Sequence, residues 1–152
     1  MIKIVTYREK YKHDIKSLNY EWPEKYFFVE PADIIQLSDP QGEIPDKDGH
    51  IYYALFNDEV IGASSLLKVN DDEYEPAKMA VTEKYKGLGA GKLLIEHCLN
   101  EAVRLKVKKL ILYSNTKLQA AINLYRKYAF KEIPPDPNVH YVRSNVKMEK
   151  VF

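Results

Sequence analysis

The chain has 152 residues, of which 45% are hydrophobic and 30% charged, an ordinary composition for a folded domain. Its 23 Lys and Arg residues nearly balance 22 Asp and Glu residues, which argues against a generic polyanion binder. The single cysteine, Cys98, cannot form an internal disulfide or a cysteine-based zinc cluster. Because no long apolar run or signal-peptide pattern is present, we expect one cytoplasmic domain over residues 1–152, with no membrane contact.

The first half of the chain mixes strand and helix patterns, which indicates a layered α/β fold. Alternation of apolar and polar residues predicts strands, and proline, glycine and aspartate mark the turns between elements. The predicted elements are a strand at 2–7, a helix at 9–22 closed by Pro23, a short helix from 31 to 39, a loop at 41–49, a hairpin of strands 51–56 and 59–68 turning at Asn57-Asp58, and a strand at 76–82.

The second half contains the clearest helix, at residues 89–106, where apolar side chains recur at helical spacing. It is followed by a short apolar segment suited to a buried strand. The remaining predicted elements are a strand at 109–113, a helix at 118–128, a strand at 130–133 and a last strand at 142–148.

The segment that carries chemistry is Lys86-Gly87-Leu88-Gly89-Ala90-Gly91-Lys92, between a strand and an amphipathic helix. Three glycines in five residues allow close approach of a ligand, and the amides at a helix start attract an anion. A Walker loop has one more residue before its Gly-Lys pair, and then Ser or Thr. The dinucleotide pattern needs its last glycine one position later. Neither spacing fits, although phosphate binding remains the predicted chemistry.

The pattern Arg/Gln-x-x-Gly-x-Gly/Ala does fit, and it resembles the acetyl-CoA-binding motif of the GNAT (Gcn5-related) N-acetyltransferases. Lys86 stands at the Arg/Gln position, and Gly89 and Gly91 stand at the small positions. The flanks resemble the same family in residues 75–81, 112–130 and 141–148, so the resemblance covers residues 50–150 well. The first 50 residues match only in the order of their elements.

The resemblance implies a single α/β domain with a mixed, mostly antiparallel twisted sheet. This sheet would have about six or seven strands, splay apart between strands 4 and 5, and be flanked by about four helices. Acetyl-CoA would be the co-substrate, with its pantetheine arm in the gap. The implied cofactor-binding residues are Met79, Ala80 and Val81 for the arm, Lys86, Gly87, Leu88, Gly89, Ala90, Gly91 and Lys92 for the pyrophosphate, and Asn115 and Asn123 near the second helix of this half.

The implied reaction is direct attack of an amine on the thioester, with a backbone amide near Ala80 stabilising the oxyanion. The amine must lose a proton, and Glu75 is the first candidate base because it opens the fourth strand beside the splay. Glu73 is two residues earlier, so its side chain is expected on the same face of the strand, and it is the second candidate. Both would be ordinary solvated turn residues if neither acts as the base. Tyr125 is the candidate acid for the leaving thiolate, and otherwise a core tyrosine.

Two positions depart from the family pattern. Lys86 keeps a positive charge but lacks the planar fork of arginine, which weakens one phosphate contact. Ala129 replaces the usual glycine after the last helix, so a left-handed turn there would be strained. The histidines show no metal-ligand spacing, and no metal site is predicted.

Charge is distributed unevenly along the chain. Residues 84–109 carry a net charge of +5, which suits the phosphates of CoA, whereas residues 20–50 carry −6. By resemblance the early helices border the acceptor site, so we expect a small cationic amine or a peptide amino group rather than a nucleic acid. The aromatic residues of this region favour either cation–π contact with an amine or simple core packing: Tyr20, Trp22, Tyr26, Phe27 and Phe28.

Three alternatives stay open from the sequence. The same fold could transfer a different acyl group, such as succinyl or propionyl. It could also be a CoA-binding sensor or interaction module without turnover, or a phosphate-binding domain that does not bind CoA. A homodimer is expected only by analogy with the family.

Overall fold

The computed structural model describes the backbone of residues 1–26, 31–135 and 144–152. The strands are β1 (Ile2–Thr6), β2 (His50–Phe56), β3 (Glu59–Lys68), β4 (Glu73–Val81), β5 (Lys109–Ser114), β6 (Lys131–Ile133) and β7 (Val146–Val151). The helices are α1 (Lys12–Tyr26), α2 (Pro31–Ser38), α3 (Pro40–Glu43), α4 (Ala90–Arg104) and α5 (Gln119–Lys127). Within the described residues this is the mixed, mostly antiparallel sheet of about six or seven strands that the family resemblance implies.

The seven strands form one sheet in the order β1-β2-β3-β4-β5-β7-β6. All neighbouring strands are antiparallel except β4 and β5, which run parallel. The hairpin of β2 and β3 turns at Asn57 and Asp58, whose φ angles of 50° and 65° both lie in the left-handed region. Such a two-residue turn matches the twist of antiparallel strands, which is why Asn-Asp between apolar runs predicted the hairpin correctly.

Helices cover both faces of the sheet, and β2 shows the result most clearly. Tyr52 and Ala54 belong to the core cluster with α4, whereas Ile51 and Tyr53 belong to the cluster with α1 and α2. All four are at most 2% exposed. Successive residues of a strand point to opposite faces, so a strand buried on both sides is almost continuously apolar.

Two predictions in the first half are wrong in detail. Helix α1 continues through Pro23 to Tyr26. Proline lacks the N–H that would bond to the carbonyl of Asn19, but its fixed φ is compatible with a helix, and it lies within the last turn of α1. The segment predicted as a loop at 41–49 contains α3 and a 3-10 turn at Pro45–Lys47, since Asp39 caps α3 by accepting a hydrogen bond from the Gly42 amide.

Two strands differ in their bounds because of pairing that the sequence pattern does not show. Strand β4 begins at Glu73, three residues before its predicted start, since Glu73 pairs with Lys109 at the beginning of β5. Strand β7 runs from Val146 to Val151, where Val151 pairs with Lys109 from the other side. Residues 142 and 143, predicted as the start of this last strand, lie outside the described residues.

Candidate active site

Strands β4 and β5 separate soon after they meet, which opens the sheet. Only two residue pairs are in register between them, Glu73 with Lys109 and Tyr74 with Leu110. Beyond that point a cavity of about 270 Å³ lies in the gap. It is lined by residues 75–81 of β4 and 113–115 at the end of β5, together with side chains from α1, α4 and α5. Over this length β4 is paired with β3 alone, so its other edge faces the cavity.

A bulge interrupts β4 at the wall of the cavity. Ala63 pairs with Ala80 and Ser65 pairs with Ala77, so Lys78 and Met79 together face the single residue Ser64. Lys78 has a φ of 54°, which turns its peptide out of the regular ladder. The carbonyls at this point are held by side chains rather than left unpaired.

Two residues hold these carbonyls from one side of β4. Nδ2 of Asn19, in α1, donates a hydrogen bond of 3.0 Å to the carbonyl of Lys78. Oγ of Ser65, in β3, donates one of 2.7 Å to the carbonyl of Ala77. C=O and N–H point in opposite directions across a planar trans peptide bond. Asn19 therefore directs the Met79 amide away from α1.

Glu75 lies at the cavity wall and is 4% exposed. Burial raises the pKa of its carboxyl group to about 7, because a carboxylate is poorly solvated in such a place, and the positive charge of Lys78 partly opposes the rise. A carboxyl group with a pKa near neutrality can both accept and return a proton at physiological pH.

Glu73 is placed differently although it is only two residues away. Its carboxylate lies 3.1 Å from the ammonium of Lys109, at the point where β4 and β5 still pair. It is absent from the lining of the cavity. Although Glu73 and Glu75 are two residues apart on one strand, Glu73, the second candidate base, does not enter the gap.

Tyr125 lines the cavity from α5, and its ring packs edge-on against Phe130 with 5.8 Å between centroids. Burial raises the pKa of its hydroxyl to about 12. The phenol therefore stays protonated throughout the physiological range and is available as a donor. Glu75 on β4 and Tyr125 on α5 thus lie in walls of one cavity, as the sequence predicts for base and acid.

The glycine-rich loop ends at the start of α4. Gly87 and Gly89 have φ angles of 89° and 85°, which L side chains rarely adopt, and Gly89 is the N-cap residue without a capping side chain. The first helical hydrogen bond runs from the Leu93 amide to the Gly89 carbonyl. The amides of residues 90–92 precede that bond and form an anion-attracting helix start.

The remaining predicted cofactor residues divide into two groups. Met79, Ala80, Val81, Lys86 and Asn115 line the cavity. Asn123 is exposed on α5, and the loop residues Gly87, Leu88, Gly89, Ala90, Gly91 and Lys92 lie outside the cavity lining.

The turn after α5 keeps its left-handed geometry despite the alanine. Ala129 has a φ of 69°, and its amide bonds to the carbonyl of Arg126. The departure from glycine therefore costs backbone strain without changing the conformation of the turn.

The sequence did not single out Asn19, Glu21, Ser65 or Lys78 as residues of this region. Oε1 of Glu21 accepts a hydrogen bond of 2.7 Å from the Glu83 amide and one of 3.3 Å from Thr82, which ties α1 to the end of β4. The Lys78 carbonyl that Asn19 binds and the Glu83 amide that Glu21 binds are each about 60 residues away in the chain. No local motif marks such pairs, although a polar residue within the apolar pattern of α1 is a weak signal for Asn19.

A metal site and a membrane-spanning helix are both absent from residues 1–26, 31–135 and 144–152. No group of three His, Cys, Asp or Glu residues there could hold a metal ion. No helix in this part of the chain has both the length and the apolar character needed to cross a membrane.

An open mixed sheet, with a glycine-rich helix start beside its parallel pair, is the arrangement that the sequence resemblance implies for an acetyl-CoA-binding domain. Residues 7–130 match the model of the Acetyltransferase (GNAT) family. The chain therefore belongs to the GNAT acetyltransferases, which confirms the resemblance found in the sequence.

Individual relatives agree with this assignment. The uncharacterized N-acetyltransferase YvbK of Bacillus subtilis (strain 168) is 28% identical over 102 residues, covering 65% of this chain and 66% of YvbK. A GNAT acetyltransferase structure from Staphylococcus aureus Mu50 has a TM-score of 0.89 at 18% identity, with 99% of both chains covered. YncA of Salmonella typhimurium, solved with its cofactor acetyl-CoA, has a TM-score of 0.77 at 16% identity, covering 99% of this chain and 93% of YncA.

Proposed function

We propose that the protein transfers an acetyl group from acetyl-CoA to an amine by direct attack on the thioester. The observation that carries this proposal is the cavity in the open sheet, which brings Glu75 and Tyr125 together beside the free edge of β4. Family membership and the acetyl-CoA bound to YncA support the choice of donor.

The chain offers two features that fit acetyl-CoA. The edge of β4 at residues 75–81 lacks a neighbouring strand on the cavity side, so its amides and carbonyls can pair with an extended arm. The uncapped start of α4 and the ammonium of Lys86 suit a pyrophosphate. We assign Met79, Ala80 and Val81 to the arm, the amides of residues 87–92 to the pyrophosphate, and Asn115 to a contact near the end of β5.

Glu75 is the proposed base. When bound, acetyl-CoA supplies an electrophilic carbonyl, and the amine needs a free lone pair to react with it. An ammonium has a pKa near 10, so transfer of its proton to an ordinary carboxylate is strongly uphill. The pKa of Glu75 near 7 lowers that cost by about 3 kcal/mol relative to an unperturbed glutamate. Glu73, paired with Lys109 outside the gap, is the weaker candidate.

Tyr125 is the proposed acid. Its protonated hydroxyl can donate to sulfur as negative charge builds on the leaving thiolate. The Met79 amide, which the bond from Asn19 to the Lys78 carbonyl directs away from α1, is the proposed donor to the carbonyl oxygen of the thioester.

The charges that line the cavity favour an amine as acceptor. Glu21, Glu75 and Glu83 contribute carboxyl groups, and Lys78 and Lys86 contribute cations. Glu21 accepts a bond from the Glu83 amide, and Lys86 pairs with the Glu83 carboxylate, so these three residues lie together next to the glycine loop. We assign Glu75 as the carboxyl group that faces the acceptor. A small cationic amine or a peptide amino group suits this arrangement. Cytoplasmic location and a homodimer stay predictions from the sequence.

Calorimetric titration with acetyl-CoA, with ATP and NAD as controls, tests donor binding. Selective micromolar binding supports the proposal, and its absence contradicts it. A panel of amines, followed by release of free thiol, then separates an enzyme from a CoA-binding sensor without turnover. Succinyl-CoA and propionyl-CoA in the same assay determine the acyl preference.

A further inference from the structure

Asn19 has its side chain oriented by two hydrogen bonds inside the fold. It lies in α1, is 4% exposed and lines the cavity. Nδ2 donates to the carbonyl of Ile15 at 2.9 Å and to the carbonyl of Lys78 at 3.0 Å. Both partners are carbonyl oxygens, which only accept hydrogen bonds, so the nitrogen and not the oxygen of the carboxamide must face them.

This orientation leaves Oδ1 of Asn19 as the unused part of the group. No described residue donates a hydrogen bond to it. In the described part of the chain, the side-chain atoms that are fully enclosed and lack a hydrogen-bond partner are Oε1 of Gln36 and Nε2 of His97. Oδ1 of Asn19 is not one of them. The oxygen is therefore open to the cavity, and a buried acceptor of this kind requires a donor from whatever occupies that space.

Asn19 and Glu75 act at the same bulge of β4. Asn19 binds the carbonyl of Lys78, and the charge of Lys78 acts on the carboxyl group of Glu75. Both residues line the cavity in which the acceptor amine is proposed to react. The cavity wall therefore carries two oxygens of different kinds, a carboxylate that can take a proton and a carboxamide oxygen that cannot.

We infer that Asn19 is an acceptor-binding and specificity-determining residue, whose Oδ1 accepts a hydrogen bond from the reacting nitrogen. This inference rests on the proposed function. Once Glu75 has passed the ammonium proton on to solvent, the neutral primary amine has a lone pair and two N–H bonds. Its lone pair forms the bond to the acetyl carbon while the carbon–sulfur bond breaks and the CoA thiolate leaves. One proton passes to Glu75, and the other stays on nitrogen, bonded to Asn19, and remains in the amide product.

The consequence is selection for primary over secondary amines. A secondary amine has one N–H bond, and that proton goes to Glu75, so Oδ1 of Asn19 is left buried without a donor. A site built to bond an N–H group discriminates strongly against an analogue that lacks it. We expect the kcat/KM of a primary amine to exceed that of its N-methyl derivative by about tenfold or more.

The test compares n-butylamine, 1,4-diaminobutane and lysine amide with their N-methyl derivatives, using acetyl-CoA and thiol release. The variants are Asn19→Leu, which is nearly isosteric, and Asn19→Ala in case leucine disturbs folding. Ser65→Ala is the matched control, because Ser65 bonds the neighbouring carbonyl of Ala77 at the same bulge but does not line the cavity. Acetyl-CoA affinity, measured by calorimetry, reports whether the donor side remains intact.

The inference predicts that wild type and Ser65→Ala favour the primary amines, whereas the Asn19 variants lose most of that preference while binding acetyl-CoA within about threefold of wild type. It is overturned if wild type shows no preference, if the preference survives in the Asn19 variants, or if Ser65→Ala loses it equally. Transfer to no amine at all would overturn the proposed function itself, and this is distinguishable because primary amines would then fail too.

Discussion

Nζ of Lys86 lies 3.0 Å from Oε1 of Glu83, so the cation proposed to bind the pyrophosphate already has an anionic partner. Both side chains are substantially exposed, at 59% and 40%, and an exposed pair of this kind contributes little to stability. Acetyl-CoA must compete with Glu83 for the same ammonium.

Glu83→Gln should therefore strengthen acetyl-CoA binding, by up to about fivefold, because it removes the competing carboxylate. Lys86→Ala should weaken binding. Calorimetry on both single variants and on the double variant gives the coupling between them. If Glu83→Gln improves affinity equally in the Lys86→Ala background, the gain comes from overall charge and not from release of Lys86.

Gly91 gives a sharper test of the glycine loop than Gly89, with Gly91→Ala and Gly91→Leu as the two variants. A Cβ at Gly91 would meet only Cγ2 of Val81, at 3.9 Å, and its backbone lies outside the left-handed region. Gly91→Ala should fold at least as stably as wild type, since alanine favours a helix. Its acetyl-CoA affinity should stay within about threefold of wild type, because the motif accepts alanine at this position. Gly91→Leu should lose about tenfold or more, if the phosphates approach this backbone closely.

The exposed Asn100→Ala on the same helix is the control, with unchanged affinity expected. Gly89→Ala would combine a blocked approach of the ligand with backbone strain. Its φ of 85° strains any other residue by about 1–2 kcal/mol. Full affinity in Gly91→Leu would contradict a close approach at this position.

Glu75 should determine the acidic limb of the pH profile. The base must be ionised, so kcat/KM should rise as pH increases through about 7, the pKa of the buried carboxyl group. Glu75→Gln should lose about 100-fold or more in kcat and should lack this inflection. Glu73→Gln is the matched control and should retain it, since Glu73 is paired with Lys109 outside the cavity. Loss of the inflection in Glu73→Gln alone would reverse the two assignments.

The same burial means that Glu75, once ionised near neutral pH, lowers the stability of the folded protein. Its pKa is about 7 in the folded state and 4.5 when unperturbed, so the folded protein binds the extra proton between these values. Stability therefore falls as pH rises from about 4.5 to 7, by up to about 3 kcal/mol. Glu75→Gln should gain stability over wild type at pH 8 and show little of that gain near pH 4.5. Urea unfolding at both pH values measures this, and an equal gain at both would contradict the burial argument.

Tyr125→Phe should lower kcat by about 100-fold, because it removes the donor to the leaving thiolate. Acetyl-CoA affinity and the melting temperature should change little, since the ring keeps its edge-on packing on Phe130. The raised pKa also predicts no loss of activity from Tyr125 ionisation below about pH 11. Unchanged kcat in Tyr125→Phe would show that the tyrosine is only a packing residue.

The sequence alone predicted the structure wherever the conformation is determined by residues that are neighbours in the chain. The turn at Asn57-Asp58 and the glycine-rich start of α4 are local, because side-chain size and allowed φ angles act over a few residues. The motif at Lys86, Gly89 and Gly91 then led to the family, the open sheet and the cofactor. Tyr125 followed from the same resemblance and lies in the cavity.

Only the tertiary structure decided which of two nearby carboxylates enters the gap. Glu73 and Glu75 share parity on one strand, but β5 still pairs with β4 at Glu73 and has separated from it by Glu75. The pKa of Glu75 depends on burial by distant elements, which no local pattern encodes. The hydrogen bond between Asn19 and Lys78 joins residues 59 positions apart, so it exists only once α1 packs against the bulge of β4.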